Sequence, residues 1–281
     1  MSEDMPQEDK MALKAAAATL KRIVSNVEVE RKFNPGSKFT SLLASYTLTS
    51  LQGQPQGSAN RRGLPFAVIN QPGQLIRDTY YDTQESHLCA LGLWIRQRTV
   101  NTLPLGPDQA TADRKGDAEW NAKVRLGGNF GNSQFAEYDG KAKVAEEVLR
   151  ITNSKMRLED LQVASDLLTR RTGWKVVRLA DGTAPEAEMT IVVDEVTEAD
   201  GDKDEKSAFK HTIGEVELFQ EVVTDEKDKE EHEAYRKEIS AQMMGELEEF
   251  MLAHPDLFST NPKPIGKLSA YDTWRAARGQ S

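Results

Sequence analysis

Cysteine is nearly absent from this chain: one residue, Cys89, stands among 281. A single cysteine excludes an internal disulfide and a cysteine-based zinc cluster. It is the usage expected of a reducing compartment, so the cytoplasm is the expected location. Histidine is scarce as well. Four scattered histidines do not form a multi-histidine metal site. Long apolar runs are missing, and none approaches the ~20 residues a membrane helix needs. No membrane association is therefore expected. The opening MSEDMPQEDKMALK lacks the basic start and apolar centre of a secretion signal, and the Arg-rich, acid-poor character of a transit peptide. An excess of positive charge is missing too. A net charge of −9 argues against broad nucleic-acid binding. An anionic ligand would have to be drawn by a local cluster of cations, not by the global field. A small-molecule partner and a monomeric state are the expectation.

Hydrophobic residues make up 38% of the chain, a low share, yet they recur in patterned segments, which points to a folded domain rather than disorder. Residues 1–25 read as a tail, helical in part over MALKAAAATLKRI, and 26–281 as one domain. Strict alternation predicts a strand at 27–33, and further strands are read at 66–69, 75–81, within 88–100, and at 118–126, 133–138, 174–180, 188–196 and 212–222. Helical spacing marks 38–48, 141–151, 158–170 and the long charged segment from about 225 to 255. Turn-rich stretches separate them, including 100–117 and the acidic loop 199–207. About eight strands with helices between and after them suggest an α+β fold built on an antiparallel sheet, one form of which is a barrel.

Chemistry enters through strand parity, because side chains alternate faces along a strand. In VEVERKF, Glu28, Glu30 and Lys32 share one face, opposite Val27, Val29 and Phe33. In GEVELF, Glu215 and Glu217 share a face; in LWIRQR, Trp94, Arg96 and Arg98 do; in WNAKVRL, Lys123 and Arg125 do. Asp194 follows the apolar run Ile191–Val193. One such strand alone reads as a half-solvated strand with its polar side outward. The set reads differently. Like charges on one face repel, so a solvated sheet mixes signs, whereas these strands sort acids from arginines. A closed barrel with a charged lumen and apolar residues turned outward beneath helices explains the sorting. Carboxylates are hard oxygen ligands for Mg²⁺ or Mn²⁺, and arginine and lysine bind phosphate oxygens. A lumen holding both classes suits a metal-bridged polyphosphate.

At these residues the chain resembles the CYTH superfamily, the triphosphate tunnel metalloenzymes. The glutamate–x–glutamate–x–lysine signature stands as Glu28, Glu30 and Lys32. More specifically, the chain resembles the thiamine-triphosphatase group. VEVERKFNPG, RDTYYDT (77–83), LWIRQR (93–98), RRTGWK (170–175), GEVE (214–217) and IGKLSAY (265–271) match it in order. The resemblance implies an eight-stranded antiparallel tunnel and metal-dependent hydrolysis of thiamine triphosphate to thiamine diphosphate and phosphate. It implies Mg²⁺ or Mn²⁺ at Glu28, Glu30, Asp194 and Glu217, with Glu215 in the same acidic patch and Glu137 as a further carry-over. Lys32, Arg96, Arg98, Lys123, Arg171 and Lys267 would grip phosphates. Catalytic roles fall to Lys32 with Tyr80, and to Glu217 as the acid that positions water. Trp94 would stack on the thiazolium ring. An inorganic triphosphatase, a class IV-type adenylyl cyclase and a polyphosphate-binding module without turnover are the alternatives.

Other features have plainer readings. GGNFGN lacks the lysine and helix context of a P-loop and reads as a hairpin turn. His232, among acids and without a second histidine at helical spacing, reads as part of a solvated helix face. Cys89 reads as a core thiol.

Overall fold

A computed structural model of the chain describes residues 22–47, 66–103, 117–129, 131–178, 188–200, 208–225 and 229–279. Nine strands are described: β1 (Arg22–Phe33), β2 (Phe66–Asn70), β3 (Gln74–Asp82), β4 (Leu93–Thr102), β5 (Glu119–Gly128), β6 (Asn132–Asp139), β7 (Gln162–Arg178), β8 (Glu188–Glu198) and β9 (Lys210–Asp225). They run in the order β2-β7-β3-β4-β5-β6-β1-β9-β8, and β8 pairs back onto β7. Eight strands therefore close into an antiparallel barrel. β2 stays outside it, paired with the far end of β7.

The alternation in the sequence decides which way the barrel faces. Val27, Val29, Val216 and Leu218 are fully buried, yet they point away from the lumen. They lie beneath α4 (Lys229–Ala253), whose Ile239, Met243, Leu247, Phe250 and Met251 recur at helical spacing. Each valine or leucine so buried stabilises the fold by about 1.5–3 kcal/mol. Phe39 and Leu43 of α1 (Phe39–Ala44) join the same cluster. On another side, Val144 and Val148 of α3 (Lys141–Ile151) cover Leu93, Ile95 and Ala122. The main hydrophobic core thus lies between barrel and helices, which leaves the interior free for charge. α5 (Lys267–Gly279) lies across one end of the interior, where Tyr271 and Leu268 pack on Tyr80, Leu167 and Val196. Among the described residues no helix is long and apolar enough to cross a membrane.

Several expectations are corrected. The predicted helix over 158–170 is a single 3-10 turn, Leu158–Asp160, followed by the first half of β7. The clustered leucines mimic helical spacing, but Ser165, Leu167 and Thr169 are buried at alternate positions, and β7 is paired on both flanks by β3 and β8. The predicted strand at 66–69 is the one outside the barrel. β1 begins at Arg22, inside the expected tail; residues 1–21 lie outside the described ones, as do 104–116 and 201–207 of the two long connections. α5 is a helix that the sequence reading does not predict. His232 is not solvated: it is 5% exposed and its Nε2 lies 3.1 Å from Ser25 Oγ. Cys89, at the start of a barrel wall on the short helix α2 (His87–Ala90), borders the interior cavity instead of the core.

Gly214 shows how tightly the outer face is fitted. It pairs with Phe33 across β1 and β9, and a β-carbon there would lie 2.3 Å from the Phe33 ring. Phe33 is fully buried between Phe39 and Phe258, at 5.0 and 5.1 Å between ring centroids. Gly214→Ala is expected to lower stability by about 1–3 kcal/mol, read from the denaturant midpoint. An unchanged midpoint would show that the ring moves freely.

Candidate active site

Directly paired residues of an antiparallel ladder share a face, so the lumen can be followed strand by strand. Glu30 lies opposite Glu217, and Lys32 opposite Glu215. Lys123 faces Glu137 and Trp94. Tyr80 faces Arg96, and Asp78 faces Arg98. Arg171 faces Asp194 and closes the circle. These side chains surround a cavity of about 630 Å³. Its walls include Glu28, Glu30, Lys32, Tyr80, Trp94, Arg96, Arg98, Lys123, Glu137, Arg171, Glu215, Glu217 and Lys267. The structure thus brings together every expected site residue but one at a single cavity. Arg170, the neighbour of Arg171, is exposed on the outside.

The exception is Asp194. It is 1% exposed and does not line the cavity. Both its oxygens accept from Arg171, Nε at 2.7 Å and Nη2 at 2.8 Å. This is the bidentate pairing that fixes a guanidinium plane. In this structure Asp194 orients Arg171, whose Nη2 also lies 3.9 Å from Glu215 and whose Nη1 lies 3.6 Å from Glu217.

Asp78 is the residue that sequence reading missed. It is fully buried and accepts from Arg98 at 2.7 and 2.8 Å and from Lys267 at 3.0 Å, with Arg96 Nε at 3.8 Å. Burial opposes its ionisation, but Lys267, Arg96 and Arg98 outweigh that and hold it well below the usual carboxylate range. One carboxylate therefore aligns cations from β4 and α5. The signal was present, since Asp78 and Tyr80 stand two apart in RDTYYDT and so share a face. Arg96 Nε is buried without a hydrogen-bond partner, a donor that a phosphate oxygen would satisfy.

The acids form the opposite wall. Lys123 Nζ contacts Glu28 and lies 3.3 Å from Glu137 and 3.6 Å from Glu30. Lys32 Nζ contacts Glu30 and lies 2.9 Å from Glu215. Burial would lower the Lys32 pKa, but Glu215 and Glu30 outweigh it and push it up. Lys32 is therefore held as a cation, which fits a phosphate clamp better than a proton donor. Glu215 is likewise held ionised, with Lys32 and Arg171 overcoming its burial. Glu217 differs. Burial, reinforced by Glu28 and Glu215 against the pull of Arg171, raises it to about 8. Burial, helped by Glu137 and opposed by Lys123, also raises Glu28.

Among the described residues no three carboxylate, histidine or cysteine groups converge as a formed metal site. The donor set nonetheless fits a cation. Glu28, Glu30 and Glu137 all lie within 4 Å of the Lys123 ammonium, so their oxygens already gather around a positive charge, and carboxylates are the donors a hard divalent ion takes. The raised pKa of Glu217 comes first from burial, with Glu28 and Glu215 adding to it, a cost that a bound cation would relieve.

Glu217 gives the site a pH signature. Its folded pKa lies above the ~4.3 of an unfolded glutamate, so its contribution to stability is complete below ~4.3 and lost as pH rises through about 8. In chelator, raising the pH from about 5 to about 8 should destabilise the protein less in Glu217→Gln than in the parent. Identical pH slopes in the denaturant midpoint would contradict this assignment.

No family model matches the chain, and no curated protein matches it. Solved structures do. One is a protein from Hippeastrum, named as an adenylyl cyclase and reported to have a dominant triphosphatase activity. It is 13% identical over 90% of this chain and 96% of its own, with a TM-score of 0.43. An RNA triphosphatase from S. pombe is 12% identical over 92% and 94%, with a TM-score of 0.32. A chain of the Schizosaccharomyces pombe Mediator head module is 9% identical over 80% and 96%, with a TM-score of 0.36. Likenesses this distant carry no conclusion about function, which has to come from the chain's own residues.

Proposed function

We propose that this chain hydrolyses triphosphates in a metal-dependent reaction inside the barrel. One observation carries the reading: buried carboxylates and buried cations line one cavity inside the barrel. A module that only binds anions needs the cations but has no use for the acidic wall. Glu28, Glu30 and Glu217 would hold Mg²⁺ or Mn²⁺, whose positive charge would neutralise the triphosphate oxygens it meets. Arg96, Arg98, Lys123, Arg171, Lys32 and Lys267 bind and orient the phosphates, with Asp78 and Asp194 fixing the guanidinium planes. Tyr80, paired with Arg96 across β3 and β4 and lining the same cavity, steadies that clamp. Glu217, on the acidic wall of the cavity and raised by burial to about 8, orients the attacking water. Water adds to the terminal phosphorus, the bridging P–O bond breaks, and inorganic phosphate leaves from a diphosphate.

The finer reading is thiamine triphosphate. Its support is the resemblance of the six sequence blocks and the position of Trp94 on the cavity wall. Inorganic tripolyphosphate is the second reading, favoured by Arg125, whose guanidinium lies 4.7 Å from the Trp94 ring centroid.

Glu28→Gln with Glu30→Gln is expected to lower metal-dependent phosphate release by about a hundredfold or more, since each loss removes several kcal/mol of charge stabilisation. The denaturation profile should show a folded protein. Full activity in a folded double variant would reject the metal assignment.

A further inference from the structure

Beside the phosphate clamp, one polar group on the cavity wall calls for a ligand atom that a triphosphate chain lacks. Its use rests on the reading of the cavity as a phosphate site. Asn121 of β5 lines the cavity and is 8% exposed. Its Nδ2 donates to Asp139 Oδ1 across β5 and β6 at 2.8 Å. A carboxylate accepts and an amide NH₂ donates, so this bond decides which way the amide faces. The Asn121 Oδ1 is left buried with no hydrogen-bond partner among the described residues. Buried polar atoms are nearly always paired, so an orphaned acceptor on a cavity wall marks a place for a donor. Ionised phosphate oxygens only accept. They satisfy Arg96 Nε and leave Asn121 Oδ1 unpaired.

The surroundings point to the organic part of the ligand as the donor. Trp94 pairs with Lys123, and Arg96 with Asn121. Trp94 and Asn121 are therefore diagonal neighbours on one face, about 7–8 Å apart, and a ring stacked on Trp94 reaches Asn121 with a substituent. From Asn121 the wall continues through the exposed Glu119, which lies opposite Arg98, to the exposed Asp117. With Asp139, these acids favour a group that bears N–H donors or positive charge over a further phosphate. We infer that Asn121 is a specificity-determining residue whose Oδ1 accepts from an exocyclic ring amine of the substrate. The class it selects is a triphosphate ester of an amino-substituted heterocycle. The aminopyrimidine of thiamine carries such an amine, and so does adenine. A ring with a carbonyl in that place sets two acceptors against each other, and tripolyphosphate leaves the acceptor unpaired.

Equilibrium binding of diphosphates tests this without relying on turnover. Two pairs are titrated by calorimetry into the full-length protein with Mg²⁺, with pyrophosphate as the reference. One pair is thiamine diphosphate and its analogue with a ring carbonyl in place of the amine. The other is adenosine diphosphate and inosine diphosphate, which differ in the same way. The parent should bind thiamine diphosphate about tenfold more tightly than the carbonyl analogue. A preference of that size only in the adenosine pair supports the role of Asn121 and assigns the amine to adenine. Asn121→Ala, shown to be folded by its denaturation profile, should bind the two members of each pair alike. Equal binding within both pairs by the parent would mean that water serves Asn121, and overturns the inference whether or not the variant folds. A preference that survives in folded Asn121→Ala overturns it as well. Failure of pyrophosphate and every other diphosphate to bind overturns the phosphate-site reading along with it.

Discussion

Opposite charges paired inside a closed barrel are the constraint on which this structure turns. Removing a charge from water costs several kcal/mol unless it is matched closely. Here the charges around the cavity meet counter-charges from other strands or from α5. Lys123 of β5 reaches Glu28 of β1, Arg171 of β7 locks onto Asp194 of β8, and Lys267 of α5 meets Asp78 of β3. Breaking any one pair leaves its partner less well matched in a buried site. The pairing therefore links the barrel's closure to the site's chemistry, and it is why the apolar core had to move outward beneath α4 and α3.

The pairing is also incomplete. Cations meet acids at the Asp78 and Asp194 ends, where the geometry is bidentate and the acids are held ionised or fully engaged. At Glu28 and Glu217 the cations do not outweigh burial, which leaves these groups raised above their ordinary range. A lumen built for its own stability would be better filled with apolar residues. One that keeps rigid guanidinium groups opposite under-neutralised acids is preorganised for a charged ligand and a cation together.

Much of this barrel is legible in the bare sequence. Alternation in VEVERKF and GEVELF places Glu28, Glu30, Glu215 and Glu217 on one face, because a half-buried strand tolerates no other pattern. The same rule places Arg96, Arg98 and Lys123. What escapes is non-local. Asp78 sits in a segment where only Tyr80 stands out, and its importance lies in partners 20 and 189 residues away. The first half of β7 imitates a helix because its leucines cluster, and only pairing on both edges fixes it as a strand. The contact of Arg125 with Trp94 depends on a bulge between Arg125 and Gly127 that no periodicity reveals.

The carboxylate wall, on this account, serves a metal needed for phosphoanhydride cleavage. Phosphate release from tripolyphosphate by the purified full-length chain, measured with Mg²⁺ or Mn²⁺ and again after chelation, tests that claim directly. Release that requires the divalent ion and returns when the ion is restored is the expected result. Tight tripolyphosphate binding with no release in either metal, or release that survives complete chelation, would contradict it.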